Sequence, residues 1–187
     1  MALLKALTHG HTVSRPRIVT AFCLGIIAVL CFERVVFPAQ ASEYQVKAVF
    51  LFNFAKFVEW PPAAFSDANT PLVIGVLGRD PFGSYLDDTV RGERVNNRPL
   101  IVQRYRNTGE IKQCHVLFIS RSESDRLDQI VSSLKYRKIL IVTDANGGDG
   151  GVIIRFVNEG NRIRFKIDAQ AAKAANLTIS SKLLRLG

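Results

Sequence analysis

HVLFISRSESDRLDQIVSSLKYRKILIV, residues 115–142, decides the fold class. It opens on an apolar run, His115–Ser120, and closes on another, Lys138–Val142. Between them, Glu123–Tyr136 sets Leu127, Ile130, Val131 and Leu134 on one side of a helix. Short runs that are apolar on both faces suit strands covered from both sides. A strand, an amphipathic helix and a second strand make one parallel unit.

Working outward, the same grammar repeats. Upstream, Pro71–Gly78 carries LVIGVLG, Arg79-Asp80-Pro81 turns into a helix near Phe82–Val90, and Leu100–Tyr105 is a further strand. Downstream the pattern changes. Val152–Val157 and Arg162–Ile167 are joined by Asn158-Glu159-Gly160-Asn161, which is hairpin chemistry. In the second run Arg162, Arg164 and Lys166 alternate with Ile163, Phe165 and Ile167, so one face is basic and the other apolar. Asp168 is placed to cap Ala169–Ala175, and Leu177–Leu186 is a last helical or extended segment. The expectation is a single three-layer α/β domain. Its mainly parallel sheet carries a C-terminal β-hairpin and has helices on both faces.

Ser42–Trp60, SEYQVKAVFLFNFAKFVEW, reads as the first helix, with Ser42 as its cap and Pro61-Pro62 as its stop. Gln45, Asn53, Lys56 and Glu59 fall in one narrow stripe, and the rest is mainly Val, Phe, Leu and Ala. A helix apolar over most of its circumference must be covered on several sides. The cover is either the domain's own core or another chain.

The residues before this helix have a different character. Met1–Val19 carries Lys5, Arg15 and Arg17 and no acid, Thr20–Phe32 has no charge, and Ala39-Gln40-Ala41 offers small residues around a cut. Those features describe a secretory signal over residues 1–41. An uncleaved N-terminal anchor is the alternative, although the apolar run is shorter than the about 20 residues of a spanning helix. Export then leaves an α/β domain over residues 42–187 in the periplasm. Of the three cysteines only Cys114 lies in that domain, so it has no internal disulfide. The full chain's net charge is +9, and without residues 1–41 it is +6 from 21 bases and 15 acids, a balance that favours anionic surfaces or an acidic protein partner. Nothing in it matches a nucleic-acid motif, and export removes that class of partner.

Catalytic chemistry is hard to assemble from these residues. His115 is the one histidine after residue 41, and its neighbour Cys114 points to the opposite strand face. No H-E-x-x-H, no G-x-S-x-G and no cysteine pair at metal spacing occurs, and no cofactor motif is present. Gly147-Gly148-Asp149-Gly150-Gly151 lacks the Lys-Ser/Thr end of a phosphate loop and leads into a strand. A flexible β–β connection and a small-ligand or partner-contact loop both fit it. The composition therefore points to a binding protein rather than an enzyme. Phe50, Phe54, Phe57 and Trp60 of the first helix and Arg162 and Arg164 of the hairpin are the candidate partner-binding residues. An alternative is a small-molecule receptor using the carboxyl ends of the strands, at Gly78-Arg79-Asp80, Ser120-Arg121 and Asp144–Gly151.

Four segments in this order resemble the YfiR family: YQVKAVFLFNFAKFVEWPP at Tyr44–Pro62, IGVLGRDPFG at Ile74–Gly83, CHVLFIS at Cys114–Ser120, and the end from Gly150 onward. The resemblance implies a periplasmic α/β regulator, often dimeric. It implies repression of a membrane-bound diguanylate cyclase by docking on its periplasmic sensor part, with effects on cyclic-di-GMP and biofilm formation. It also implies relief of that block by an outer-membrane lipoprotein. Cys114 matches a family cysteine tied to redox state and is the redox candidate, but the cysteines that would pair with it are missing from this chain.

Overall fold

Three strands buried along their whole length form the middle of the molecule: β2 (Leu72–Leu77), β5 (Val116–Ile119) and β6 (Leu140–Thr143). The structure is a computed structural model and describes residues 39–187 except Asp149 and Asn161. Around that centre lie α1 (Ala39–Phe57), β1 (Val58–Glu59), α2 (Ser84–Val90), β3 (Arg94–Val95), β4 (Arg98–Tyr105) and α3 (Leu127–Ser133). Beyond β6 follow β7 (Ile154–Glu159), β8 (Arg162–Ile167), α4 (Ala169–Ala174), β9 (Thr178–Ile179) and α5 (Ser181–Leu184). The main sheet has the order β3-β4-β2-β5-β6-β7-β8. Strands β4, β2, β5, β6 and β7 run parallel, and β3 and β8 are the antiparallel edges.

Alternation along the strands feeds two separate cores, which is why the central residues are apolar except Thr143, whose hydroxyl donates to Ile119 C=O. Leu72, Ile74, Val76, Val116, Phe118, Leu140 and Val142 pack with α1 and α2 on one face. Leu77, Leu117, Ile119 and Ile141 pack with Leu127, Ile130 and Val131 of α3 on the other. The three-layer α/β fold is the one expected from the sequence. Gly75 is needed on the second face, because a Cβ there would lie 2.6 Å from the Tyr105 ring and 2.8 Å from Cys114 Sγ.

The first helix differs from its expected bounds at both ends. It is already helical at Ala39, so Ser42 lies inside it rather than capping it. It stops at Phe57, three residues before Trp60. The reason is tertiary: Val58 and Glu59 leave the helix to pair antiparallel with Ile179 and Thr178. Ser180 N–H then donates to Phe57 C=O at 2.9 Å. The C-terminal segment thereby closes the helix end, before the prolines are reached.

The helix expected over Glu123–Tyr136 is shorter too. Arg121–Arg126 is a 3-10 turn, and the α-helix proper is Leu127–Ser133. The β6–β7 connection, Asp144 to Ile153, must carry the chain back to start a parallel neighbour without a helix of its own. Its glycines make that crossing possible by close approach. A Cβ at Gly148 would lie 2.8 Å from Leu127 Cδ2, and one at Gly151 would lie 2.6 Å from Val131 Cγ1, and both have left-handed φ. Ala145 and Val152 add to the second core. Arg155 donates to the carbonyls of Ala145 and Gly148. The loop is thus held by packing and by an arginine, and its carbonyls, not its N–H groups, face that side chain. The Asp168 cap forms as expected, accepting from Gln170 N–H and Ala171 N–H at 2.9 Å each. Among the described residues no helix is long and apolar enough to cross a membrane. The expected signal or anchor lies, apart from residues 39–41, outside the described residues.

Candidate functional site

The aromatic residues of α1 meet the hairpin. Phe50 and Phe54 stack at 5.9 Å, and both sit on Phe156 and Phe165 at centroid distances of 5.1–5.9 Å. Such offset and edge contacts each add roughly 0.5–1.5 kcal/mol beyond burial. Phe54 is fully enclosed. As a partner-contact candidate it is therefore displaced to a supporting role, because neighbours of its own chain occupy every side of the ring. Phe50, Phe57 and Trp60 are half-buried against the same core. The face of α1 left open includes Gln45 and Lys56 of the polar stripe, with Asn53 half-buried, and it extends beyond the stripe. Two of its members are valines, Val46 and Val49, at 43% and 49% exposure.

The hairpin carries the other candidates. β8 is an outer strand of the sheet, with a neighbour on one side only. Its apolar members face inward: Phe165 is buried, and Ile163 and Ile167 are packed against the first core. Arg162, Arg164 and Lys166 stand exposed on the opposite face. Among the described residues the one ion pair they make is Arg164 Nε with Glu159, at 3.9 Å and exposed. The basic face is therefore only partly compensated. An edge strand with charges is protected from chance pairing, and these charges form an exposed electropositive strip.

A second constellation sits where β5 and β6 end, and the sequence reading did not assemble it. Lys47 of α1 is fully buried and lies 2.7 Å from Asp144 Oδ2 and 2.5 Å from Glu43 Oε1. The Tyr44 hydroxyl donates to Asp144 Oδ2 at 2.8 Å, and Arg121 reaches Asp144 at 3.2 Å and Glu43 at 3.3 Å. Burial works against the Glu43 charge, but the hydrogen bond from Lys47 and the charges of Lys47 and Arg121 outweigh it and hold the carboxyl below its usual range. Burial first, and then the bond to Asp144, push the Tyr44 hydroxyl well above its usual range. Two acids and two bases balance. In open α/β sheets this end of the strands is where ligands bind; here Glu43, Tyr44 and Lys47 of α1 reach into it. The signal was Lys47 itself, a lone cation on an apolar face, which demands a buried acid. Asp144, just past an apolar strand, was the available one.

The remaining expectations concern Cys114 and His115. The Cys114 thiol is buried, and burial pushes its pKa up to about 12. A thiol held protonated is a poor nucleophile and a poor redox sensor. His115 Nδ1 accepts from Val73 N–H at 3.0 Å, which leaves the proton on Nε2 facing Ala64 C=O at 3.2 Å. Burial, helped by Arg98, lowers its pKa against the pull of that carbonyl. It is a structural, neutral imidazole, stacked at 4.4 Å on Phe65. Among the described residues no group of three His, Cys, Asp or Glu side chains converges in a way that could hold a metal ion.

The geometry thus defines a class: a three-layer α/β domain with a buried polar cluster that ties α1 to the strand ends and an outer strand that carries an exposed basic face. The chain belongs to the YfiR/HmsC-like family, whose model matches residues 44–187. That family consists of periplasmic regulators tied to cyclic-di-GMP signalling. No match was found among the curated proteins.

Proposed function

We propose that this protein is a periplasmic regulatory binding protein that represses a membrane-bound diguanylate cyclase by docking on its periplasmic sensor part. The observation that supports this most is the exposed row Arg162, Arg164 and Lys166 on an outer strand, backed by a rigid aromatic layer. A charged strip fixed to a packed support presents its cations at defined spacing, which favours fast and selective association with an acidic surface. Phe50 belongs to that support and Phe54 stiffens it, and Phe57 packs on the same core; Trp60 lies toward the other edge of the sheet. The docked protein acts by occupancy. It binds the inactive arrangement of the sensor better than the active one and shifts the population accordingly. Removal by an outer-membrane lipoprotein restores cyclase activity. A homodimer presents the strip twice and raises avidity without any new contact. The alternative, a small-molecule receptor at the strand carboxyl ends, gains no support from the clamp that reaches into that position.

The test is charge reversal. Arg162→Glu with Arg164→Glu should leave folding intact and weaken binding to the isolated periplasmic sensor part at least about tenfold, with a reduced dependence on salt. Unchanged affinity in the folded double variant excludes the strip as the docking surface.

A further inference from the structure

At the opposite edge of the sheet from β8, the starts of β2 and β4 and the chain after β1 enclose a pocket of about 240 Å³. Its walls include Trp60, Phe65, Leu72 and Val95, with Arg98 and Glu59 as its charged members. Arg98 is held in place twice. One terminal nitrogen donates to the carbonyls of Asp67, Ala68 and Thr70 at 2.7, 3.1 and 2.8 Å. Its guanidinium carbon also lies 3.8 Å from the centre of the Phe65 ring, which is stacked in turn on His115. Among the described residues, its Nε and its second terminal nitrogen make no hydrogen bond and no carboxylate approaches it. Arg91, Arg104, Arg121 and Arg126 each have such a partner. Trp60 lines the same pocket, and among the described residues its buried indole N–H has no acceptor. A guanidinium fixed by stacking and by backbone carbonyls, with two donors in a plane left over, is a fork built for a planar oxyanion.

We propose that this pocket binds a small monocarboxylate with an apolar body. The carboxylate takes the free edge of Arg98 and supplies the acceptor that the Trp60 N–H lacks. The body lies among Trp60, Phe65, Leu72 and Val95. Glu59 in the lining disfavours a dianion, which selects a monocarboxylate over a phosphate ester. The volume is below the about 300–1,000 Å³ of drug-sized sites, so the body is no larger than a benzene ring or a six-carbon chain. The pocket is formed without β8, so its failure and the failure of the docking reading are separate outcomes.

Trp60 is the single tryptophan of the chain, so its emission reports from the wall of the pocket itself. The experiment titrates the purified protein with sodium benzoate and sodium hexanoate at constant ionic strength, with benzamide and hexanamide as neutral matches. The expected result is a saturable change in Trp60 emission by the carboxylates with a Kd of about 1 mM or tighter. Binding of the amides should be about tenfold weaker or worse. Nitrogen-15 spectra should show the Trp60 Nε1 and Arg98 Nε resonances moving with the same midpoint. Arg98→Gln should abolish the response. Because that change also frees the Asp67–Thr70 loop, Trp60→Phe, read by calorimetry, is the second variant; it keeps an aromatic wall, lacks the N–H and should bind about threefold to tenfold more weakly. Carboxylate and amide binding equally, or no saturable response up to about 20 mM in protein shown to be folded, overturns the proposal.

Discussion

Lys47→Met tests whether the clamp at the strand ends holds the first helix. Methionine keeps an unbranched side chain one atom shorter and removes the charge together with the N–H donors that reach Glu43 and Asp144. In the folded protein Lys47 has no exposure and lies between Asp144, itself wholly buried, and Glu43. Removing one partner of a buried pair costs about 3–5 kcal/mol, because the other charge stays behind. Asp144 retains Tyr44 at 2.8 Å and Arg121 at 3.2 Å, which places the expected loss at the lower end, about 3 kcal/mol. For a domain of this size that corresponds to a melting temperature lower by roughly 6–12 °C. Asp144→Asn removes the charge that Lys47 would leave stranded, so the double variant should recover much of the loss, giving a coupling of about 1–3 kcal/mol in a double-mutant cycle. Urea unfolding of the four proteins measures it. A Lys47→Met protein within about 1 kcal/mol of the parent, with no coupling to Asp144, refutes the clamp.

Stability should fall as the medium is acidified, in two windows. His115 has a lowered pKa in the folded state, so its contribution is present above its ordinary value of 6.5 and is lost as pH falls below it; Glu43 does the same below 4.5. His115→Asn, which keeps an acceptor for Val73 N–H, should flatten the fall between pH 6.5 and 5 in unfolding curves, and an unchanged slope assigns it to other groups. Cys114 should resist iodoacetamide at pH 8 in the folded protein and react on unfolding, because burial raises its pKa to about 12; rapid labelling of the native state contradicts this. Gly75→Ala puts a methyl group 2.6 Å from Tyr105 and 2.8 Å from Cys114, and should cost about 1–3 kcal/mol by overpacking, read from the denaturant midpoint.

The central sheet was legible because its signal is local. Each of LVIGV, VLFI and LIV is apolar at every position, which only a strand covered on both sides needs. The hairpin was legible by alternation, and β8 keeps its expected bounds, Arg162–Ile167. What was not legible depends on distant pairing. The end of α1 is set by β9, more than a hundred residues away, and no helix-stop rule reports such a partner. The β6–β7 connection read as slack because glycines suggest flexibility; in the fold two of them, Gly148 and Gly151, pass so close to α3 that a Cβ would clash. The site divided in the same way. Arg162 and Arg164 could be placed outside from alternation alone, whereas Phe54 could be placed inside only after Phe156 and Phe165 were known to lie over it. Lys47 and Asp144 are 97 residues apart, and only their mutual need for a counter-charge linked them.

The most direct test of the docking function is binding followed by cyclase output. The purified protein is used to capture partners from solubilised envelopes, and binding is then measured on the isolated periplasmic part of any membrane diguanylate cyclase recovered. The expected result is saturable binding and lower cyclic-di-GMP production when the protein is added to that cyclase in vesicles. Both effects should be lost in the folded Arg162→Glu, Arg164→Glu variant. Binding that leaves cyclic-di-GMP production unchanged, or no binding to any membrane cyclase by folded protein, contradicts it.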